Sequence, residues 1–175
     1  EKATNFIKEK RITPTESVNS YLTSIASSIL KDGISLYDLL KRIENVALTR
    51  IGTKKVSFEM NIADNLSSKY QGDSTKIEKI LINIIDNATK YTNIGKIKLS
   101  VTSNMDKDNQ ILRFVVSDTG RGIKDDKKQF IFSDNQEESG GIGLSLIKRY
   151  VSAMNGTISF DSVYEAGTTF TVDIP

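Results

Sequence analysis

Histidine and cysteine are both absent from the 175 residues, and each absence removes a class of chemistry. Without cysteine there are no disulfides and no thiolate metal sites; without histidine the commonest transition-metal ligand is gone. Any bound metal is therefore expected to be a hard cation held by oxygen. No apolar run approaches the roughly 18 residues needed to span a bilayer, and the charged start EKATNFIKEKR lacks the core of a signal peptide. No membrane contact is expected of this segment. Lys+Arg 24 against Asp+Glu 22 leaves a net charge of +2. With no block of about five or six like charges, nothing supports a nucleic-acid surface. Internal repeats and low-complexity tracts are also missing.

What remains, at 38% hydrophobic residues, suffices for one well-buried domain over residues 34–175 and a helical appendage over residues 1–33. Thr13, Pro14, Thr15 and Glu16 form a capping box with proline at the first helical position, and Val18, Leu22, Ile25 and Ile29 follow at helical spacing. A helix is expected from about Pro14 to Lys31, with Gly33 as its stop. Its apolar stripe suits packing against another helix, either in a homodimer or on the body of the domain. Leu36, Leu39, Leu40, Ile43, Val46 and Ala47 mark a second helix, and the pattern changes near Gly52 to a strand in which Val56, Phe58, Met60 and Ile62 alternate.

A helix from about Ser74 to Tyr91 comes next, then strands over Lys96 to Thr102 and Ile111 to Ser117 joined by the turn-rich NMDKDN. Leu144, Ile147, Val151 and Met154 give a further helix ending at Asn155-Gly156. Thr157 to Val163 and Thr169 to Ile174 read as a second hairpin. Helices on one face of a mixed sheet, an α+β two-layer sandwich, accommodate this order.

Three segments carry chemistry. On the helix from Ser74, the apolar stripe is Ile77, Ile80, Leu81, Ile84, Ile85 and Ala88, while Asn83, Asn87 and Lys90 share a neighbouring face. A carboxamide oxygen is a hard ligand suited to Mg²⁺, and a lysine one turn on neutralises phosphate; taken alone, these three read equally as a solvated face. Asp118 in SDTGRGI ends a strand bearing Ile111, Leu112, Phe114 and Val115. A carboxylate there can accept the exocyclic amine of adenine, and the glycines let backbone approach the base, although Asp and Gly also favour plain turns. Gly140, Gly141 and Gly143 in GGIGLSL precede the helix starting near Leu144, so backbone N–H groups and the positive helix end can meet phosphate oxygens.

In their order, within 64 residues from Asn83 to Leu146, these segments resemble the N, G1 and G2 boxes of the histidine-kinase ATP-binding domain. That domain belongs to the gyrase, chaperone, kinase and mismatch-repair (GHKL) ATPase superfamily. The resemblance covers roughly residues 34–175 and implies the Bergerat ATP-binding fold with ATP and Mg²⁺ as cofactors. It implies that Asn87 ligates Mg²⁺, that Asn83 supports the phosphate region, and that Lys90 and Tyr91 lie near phosphates or sugar. Asp118 becomes the adenine-specificity residue, flanked by Gly120, Gly122 and Ile123. Gly141, Gly143 and Leu144 would line the phosphates at the hinge of a mobile lid. Thr168 in GTTF matches a threonine beside the adenine-binding aspartate. Phe130 and Phe132 correspond loosely to an F box, with core packing the simpler reading.

There are departures from the family pattern. Ser145 stands where a further glycine is usual, and the lid segment Ser133 to Ser139 is acidic, with Gln136 its one evident phosphate-reaching side chain. Hydrolysing branches carry a glutamate one turn before the Mg²⁺-binding asparagine as general base; here that position is Asn83, which cannot take a proton from water. This favours phosphoryl transfer over hydrolysis, in the manner of histidine kinases. The acceptor histidine is missing from this chain, so a histidine-bearing dimerisation domain in cis or trans is the expected partner, with a response-regulator receiver domain downstream. Residues 1–33 then correspond to a remnant of the dimerisation hairpin. Such a domain is expected to be cytoplasmic, alone or as the cytoplasmic part of a membrane-anchored sensor. Two alternatives remain: a pseudokinase acting as a nucleotide-gated interaction module, and a serine kinase of the anti-sigma type.

Overall fold

A computed structural model describes residues 36–64, 66, 73–106, 109–133 and 143–175. The helix expected over Pro14 to Lys31 and the boundary at residue 33 lie outside them, as do Gly140, Gly141 and Gln136. Helix α1 (Leu36–Ile51) buries Leu36, Leu39, Leu40, Ile43, Ala47 and Ile51. Val46, assigned to this stripe from its spacing, is only partly buried, and Glu44 instead lies on the buried side. Gly52 ends the helix in the left-handed region, at φ +55, with its N–H on Leu48 O at 3.0 Å.

Strand β1 (Lys55–Ile62) follows, and then α2 (Ser74–Tyr91), capped by the Asp73 side chain accepting from Lys76 N. The six stripe residues of α2 are all buried. At about 1.5–3 kcal/mol for each large side chain removed from water, that burial outweighs the ion pairs joining α1 to α2, Arg42–Glu78 and Arg50–Asp86, each at 2.9 Å and worth about 0–1 kcal/mol. The pairs report geometry: eight residues on along α1 meet eight residues on along α2, so the helices run in the same direction. Lys54, just beyond α1, places its ammonium on the Thr89 and Thr92 carbonyls at the C-terminal end of α2.

The remaining elements are β2 (Ile94–Asp106), β3 (Asn109–Asp118), a single turn α3 (Asp125–Lys128), α4 (Gly143–Ala153), β4 (Thr157–Val163) and β5 (Gly167–Ile174). The sheet order is β1-β2-β3-β5-β4, with β1 parallel to β2 and all other neighbours antiparallel. Alternate residues Phe58, Leu99, Phe114, Val116, Phe170 and Val172 point to one buried face, which α1, α2 and α4 cover. The mixed sheet with helices on one side is the architecture expected from the sequence. Strands β2 and β3 run further than expected, taking in most of NMDKDN.

The same core accounts for Phe132. Ile131 is buried, and the Phe132 ring meets Phe160 edge-on at 5.8 Å, with Phe160 next to Phe170. Phe132 is a packing residue, the simpler of its two readings.

Candidate nucleotide-binding site

Helix α2 forms the floor of the site. From Asn83 at mid-helix to Tyr91, its last residue, it advances about 12 Å at 1.5 Å per residue, so this stretch offers different chemistry at its two ends. At mid-helix, Asn83 is held by its amide donating to Lys79 O at 2.8 Å. A Cβ on Gly143 would touch Asn83 Oδ1 at 3.4 Å, so the first residue of α4 lies against this asparagine. The positive dipole end of α4 therefore sits beside the polar face of α2. Asn87 is half-buried and makes no side-chain hydrogen bond among the described residues. Lys90 is exposed, its ammonium 5.1 Å from the Tyr91 ring centre.

The C-terminal end of α2 meets the loop after β3. Arg121 N donates to Tyr91 O at 3.2 Å, and the Arg121 guanidinium stacks 4.3 Å from the Tyr91 ring centre. Asp118 Oδ1 accepts from Gly120 N at 2.8 Å. At Gly120 a Cβ would stand 2.5 Å from Tyr91 O, 2.7 Å from Thr92 Oγ1 and 2.8 Å from Asp118 Oδ1, so only glycine lets the loop close on these three oxygens. Thr92 is fully buried, and its hydroxyl makes no well-formed hydrogen bond there although it lies near enough to Asp118 to favour the carboxylate. A buried polar atom without a partner is costly in a finished core and ordinary in a pocket that a ligand completes.

Gly122, at φ +63, brings the loop against the Val163 carbonyl, and Glu165 N donates to Arg121 O at 2.7 Å. Ile123 N donates to Ser162 Oγ at 2.8 Å, tying the loop to β4. Thr168 stands opposite Asp118 in the β3–β5 register. Thus Asn83, Asn87, Lys90, Tyr91, Asp118, Gly120, Gly122, Ile123, Gly143, Leu144 and Thr168 lie along α2, the loop after β3, and the adjoining starts of α4 and β5. Gly141 lies outside the described residues. Thr92, Arg121 and Ser162 received no role from the sequence; Arg121 sits inside SDTGRGI and Thr92 directly follows Tyr91, while Ser162 gave no signal beyond an ordinary strand serine.

Burial pushes the Asp118 carboxyl above the ordinary range, opposed by the Gly120 and Thr168 N–H groups and the Thr92 hydroxyl. With its folded value raised above the unfolded one, ionisation disfavours folding. The contribution of this group to stability is full below its unfolded pKa and is lost as pH rises through the folded value. Nucleotide binding runs the other way, because only the carboxylate is a pure acceptor. ATP affinity is expected to fall on acidification from neutral to about pH 4, starting above the pH at which an exposed aspartate protonates, with that component missing in Asp118→Asn. Identical pH profiles for the two proteins would remove Asp118 from contact with the base.

A family model described as histidine kinase-, DNA gyrase B- and HSP90-like ATPase matches residues 72–175. The chain belongs to that family. It is 32% identical over 159 residues to the autoinducer 2 sensor kinase/phosphatase LuxQ of Vibrio vulnificus (strain YJ016), covering 85% of this chain and 19% of the relative. It is 34% identical over 148 residues to the adaptive-response sensory kinase SasA of Synechococcus sp. (strain JA-3-3Ab), covering 80% and 38%. The chain thus spans well under half the length of these relatives. Among solved structures, full-length ShkA in complex with AMPPNP aligns with TM-score 0.71 and 26% identity over 81% of this chain and 30% of that one. The catalytic domain of histidine kinase ThkA aligns with TM-score 0.66 and 27% identity, over 80% of this chain and 91% of that domain. The chain is an ATP-binding catalytic domain of the sensor histidine kinase type. The pseudokinase and serine-kinase alternatives draw no support from these relatives.

Proposed function

We propose that this domain positions Mg²⁺-ATP for phosphoryl transfer to a histidine supplied from outside the chain, by a dimerisation hairpin in cis or trans. The observation that carries this is the grouping along α2 of an acceptor-lined end at Asp118 and a phosphate-seeking end where Gly143 meets Asn83. Among the described residues no cluster of three acidic side chains could hold a metal alone. That suits Mg²⁺ gripped chiefly by phosphates, with the free carboxamide of Asn87 as its protein ligand and Lys90 neutralising charge. Bound ATP supplies the γ-phosphoryl group, its bond to the β-phosphate breaking as the acceptor nitrogen bonds to phosphorus and ADP leaves. The chain contributes position and charge. Asp118 and Thr168 take the base, Gly120, Gly122 and Ile123 bring backbone close to it, Tyr91 walls the sugar, and Gly141, Gly143 and Leu144 cap the phosphates. With Asn83 lacking basicity, water is left unactivated.

One relative is named a hybrid signal transduction histidine kinase, in Dictyostelium discoideum; for this protein we place a receiver domain as the next phosphate acceptor. No helix among the described residues is long and apolar enough to cross a membrane, and a cytoplasmic setting fits the reading. The test supplies the chain with Mg²⁺-ATP and a histidine-bearing helical hairpin. Label from the γ-phosphate is expected on the hairpin histidine, with transfer reduced about a hundredfold or more in Asn87→Ala. ATP binding without any transfer to several such hairpins would leave a binding module and overturn the kinase assignment.

A further inference from the structure

Ser162 is a strand serine buried to 8% exposure, in a position where its neighbours on β4 face solvent. Three groups converge on its hydroxyl. Ile123 N donates at 2.8 Å, Gly167 O lies at 3.1 Å, and Thr168 Oγ1 lies at 2.9 Å. A serine hydroxyl offers one proton and two lone pairs, an amide N–H only donates, and a carbonyl only accepts. One arrangement satisfies all three contacts: the proton goes to Gly167 O, one lone pair takes the Ile123 N–H, and the other takes the hydroxyl proton of Thr168. In a buried network such full satisfaction is favoured.

We propose that Ser162 is a positioning residue for base selectivity, acting by committing the Thr168 proton inward so that Thr168 meets the base as an acceptor only. The inference rests on reading this pocket as the adenine site. Thr168 is 7% exposed and stands opposite Asp118 in the strand register, with its backbone N–H near enough to favour the Asp118 carboxylate. Carboxylate and hydroxyl together then present lone pairs and no proton. The 6-amino group of adenine brings N–H donors to such a surface. A 6-carbonyl, as in hypoxanthine or guanine, brings lone pairs against lone pairs and is rejected. Ser162→Ala frees the Thr168 hydroxyl to turn and donate to a 6-carbonyl, weakening that rejection.

The experiment measures the affinities of the chain for ATP and inosine triphosphate, which differ at the 6-position of the purine and its neighbouring nitrogen. Ser162→Ala is expected to lower the ATP:ITP preference by about fivefold, the scale of one neutral hydrogen bond. Ser162→Thr, which keeps the hydroxyl, should retain the parent ratio, and in a Thr168→Val background Ser162→Ala should change the ratio no further. Should the alanine variant fail to fold, Ser162→Cys, with a poor acceptor of similar volume, is expected to shift the ratio in the same direction. A parent-like ratio in the folded variant, or an equal shift in the Thr168→Val background, overturns the inference while the adenine pocket stands. A parent that binds ATP and ITP alike, or whose ATP affinity ignores Asp118→Ala, refutes the pocket reading itself.

Discussion

Replacing Asp118 with alanine is expected to weaken ATP binding by about one to two orders of magnitude, the cost of a charge-assisted hydrogen bond at roughly 1.5–3 kcal/mol. Preference for ATP over GTP should collapse with it. Gly120 N donates to the Asp118 carboxylate at 2.8 Å, which orients its remaining acceptor capacity, and burial leaves the charge poorly solvated until a donor arrives. Isothermal titration of both nucleotides, with an unfolding curve to establish that the variant is folded, decides the matter. Retained affinity and retained selectivity would place the adenine elsewhere.

The second large effect is structural. Gly167→Ala should destabilise the domain by at least about 3 kcal/mol and remove ATP binding in any fraction that stays folded. Gly167 holds φ +119, where L residues rarely go, and a Cβ on it would strike the Asp118 carbonyl, with Thr119 Cα at 3.1 Å. These are backbone atoms of the strand end that aims Asp118, so relief requires moving the recognition residue. Gly52 is the internal control, because at φ +55 its Cβ would meet only Thr49 O at 3.8 Å. Gly52→Ala should cost about 1–2 kcal/mol for the left-handed conformation and leave binding intact. Urea midpoints for the two variants separate strain from collision; equal losses would show that no collision occurs at Gly167.

Much of this could be read before any coordinates. The α2 stripe from Ile77 to Ala88 and the alternation of β1 declare themselves because each element has one wet and one dry side. Where that contrast fades, so does legibility. The β2–β3 hairpin extends past its expected ends because β1 stops at the Ile62–Val101 pairing and β5 at the Leu112–Ile174 pairing. Beyond those points the two strands pair only with each other, through polar residues such as Asn104 and Gln110, with no core to impose a pattern. Val46 and Glu44 exchanged places because a helical spacing fixes a stripe to within one neighbouring position. The boxes single out Asn87 and Asp118 as candidates from the sequence alone. Ser162 is not singled out, because its burial depends on Ile123, 39 residues away in sequence. Thr92 directly follows α2, yet its unpartnered hydroxyl becomes evident only when Gly120 folds over it.

The central claim is that α2 and the loop after β3 form an adenine-selective, Mg²⁺-dependent ATP site. Isothermal titration of the chain with ATP, with and without Mg²⁺, against GTP in parallel, tests it most directly. The account predicts saturable ATP binding strengthened by Mg²⁺, with GTP at least about a hundredfold weaker. Equal binding of both nucleotides, or none of either, would contradict it.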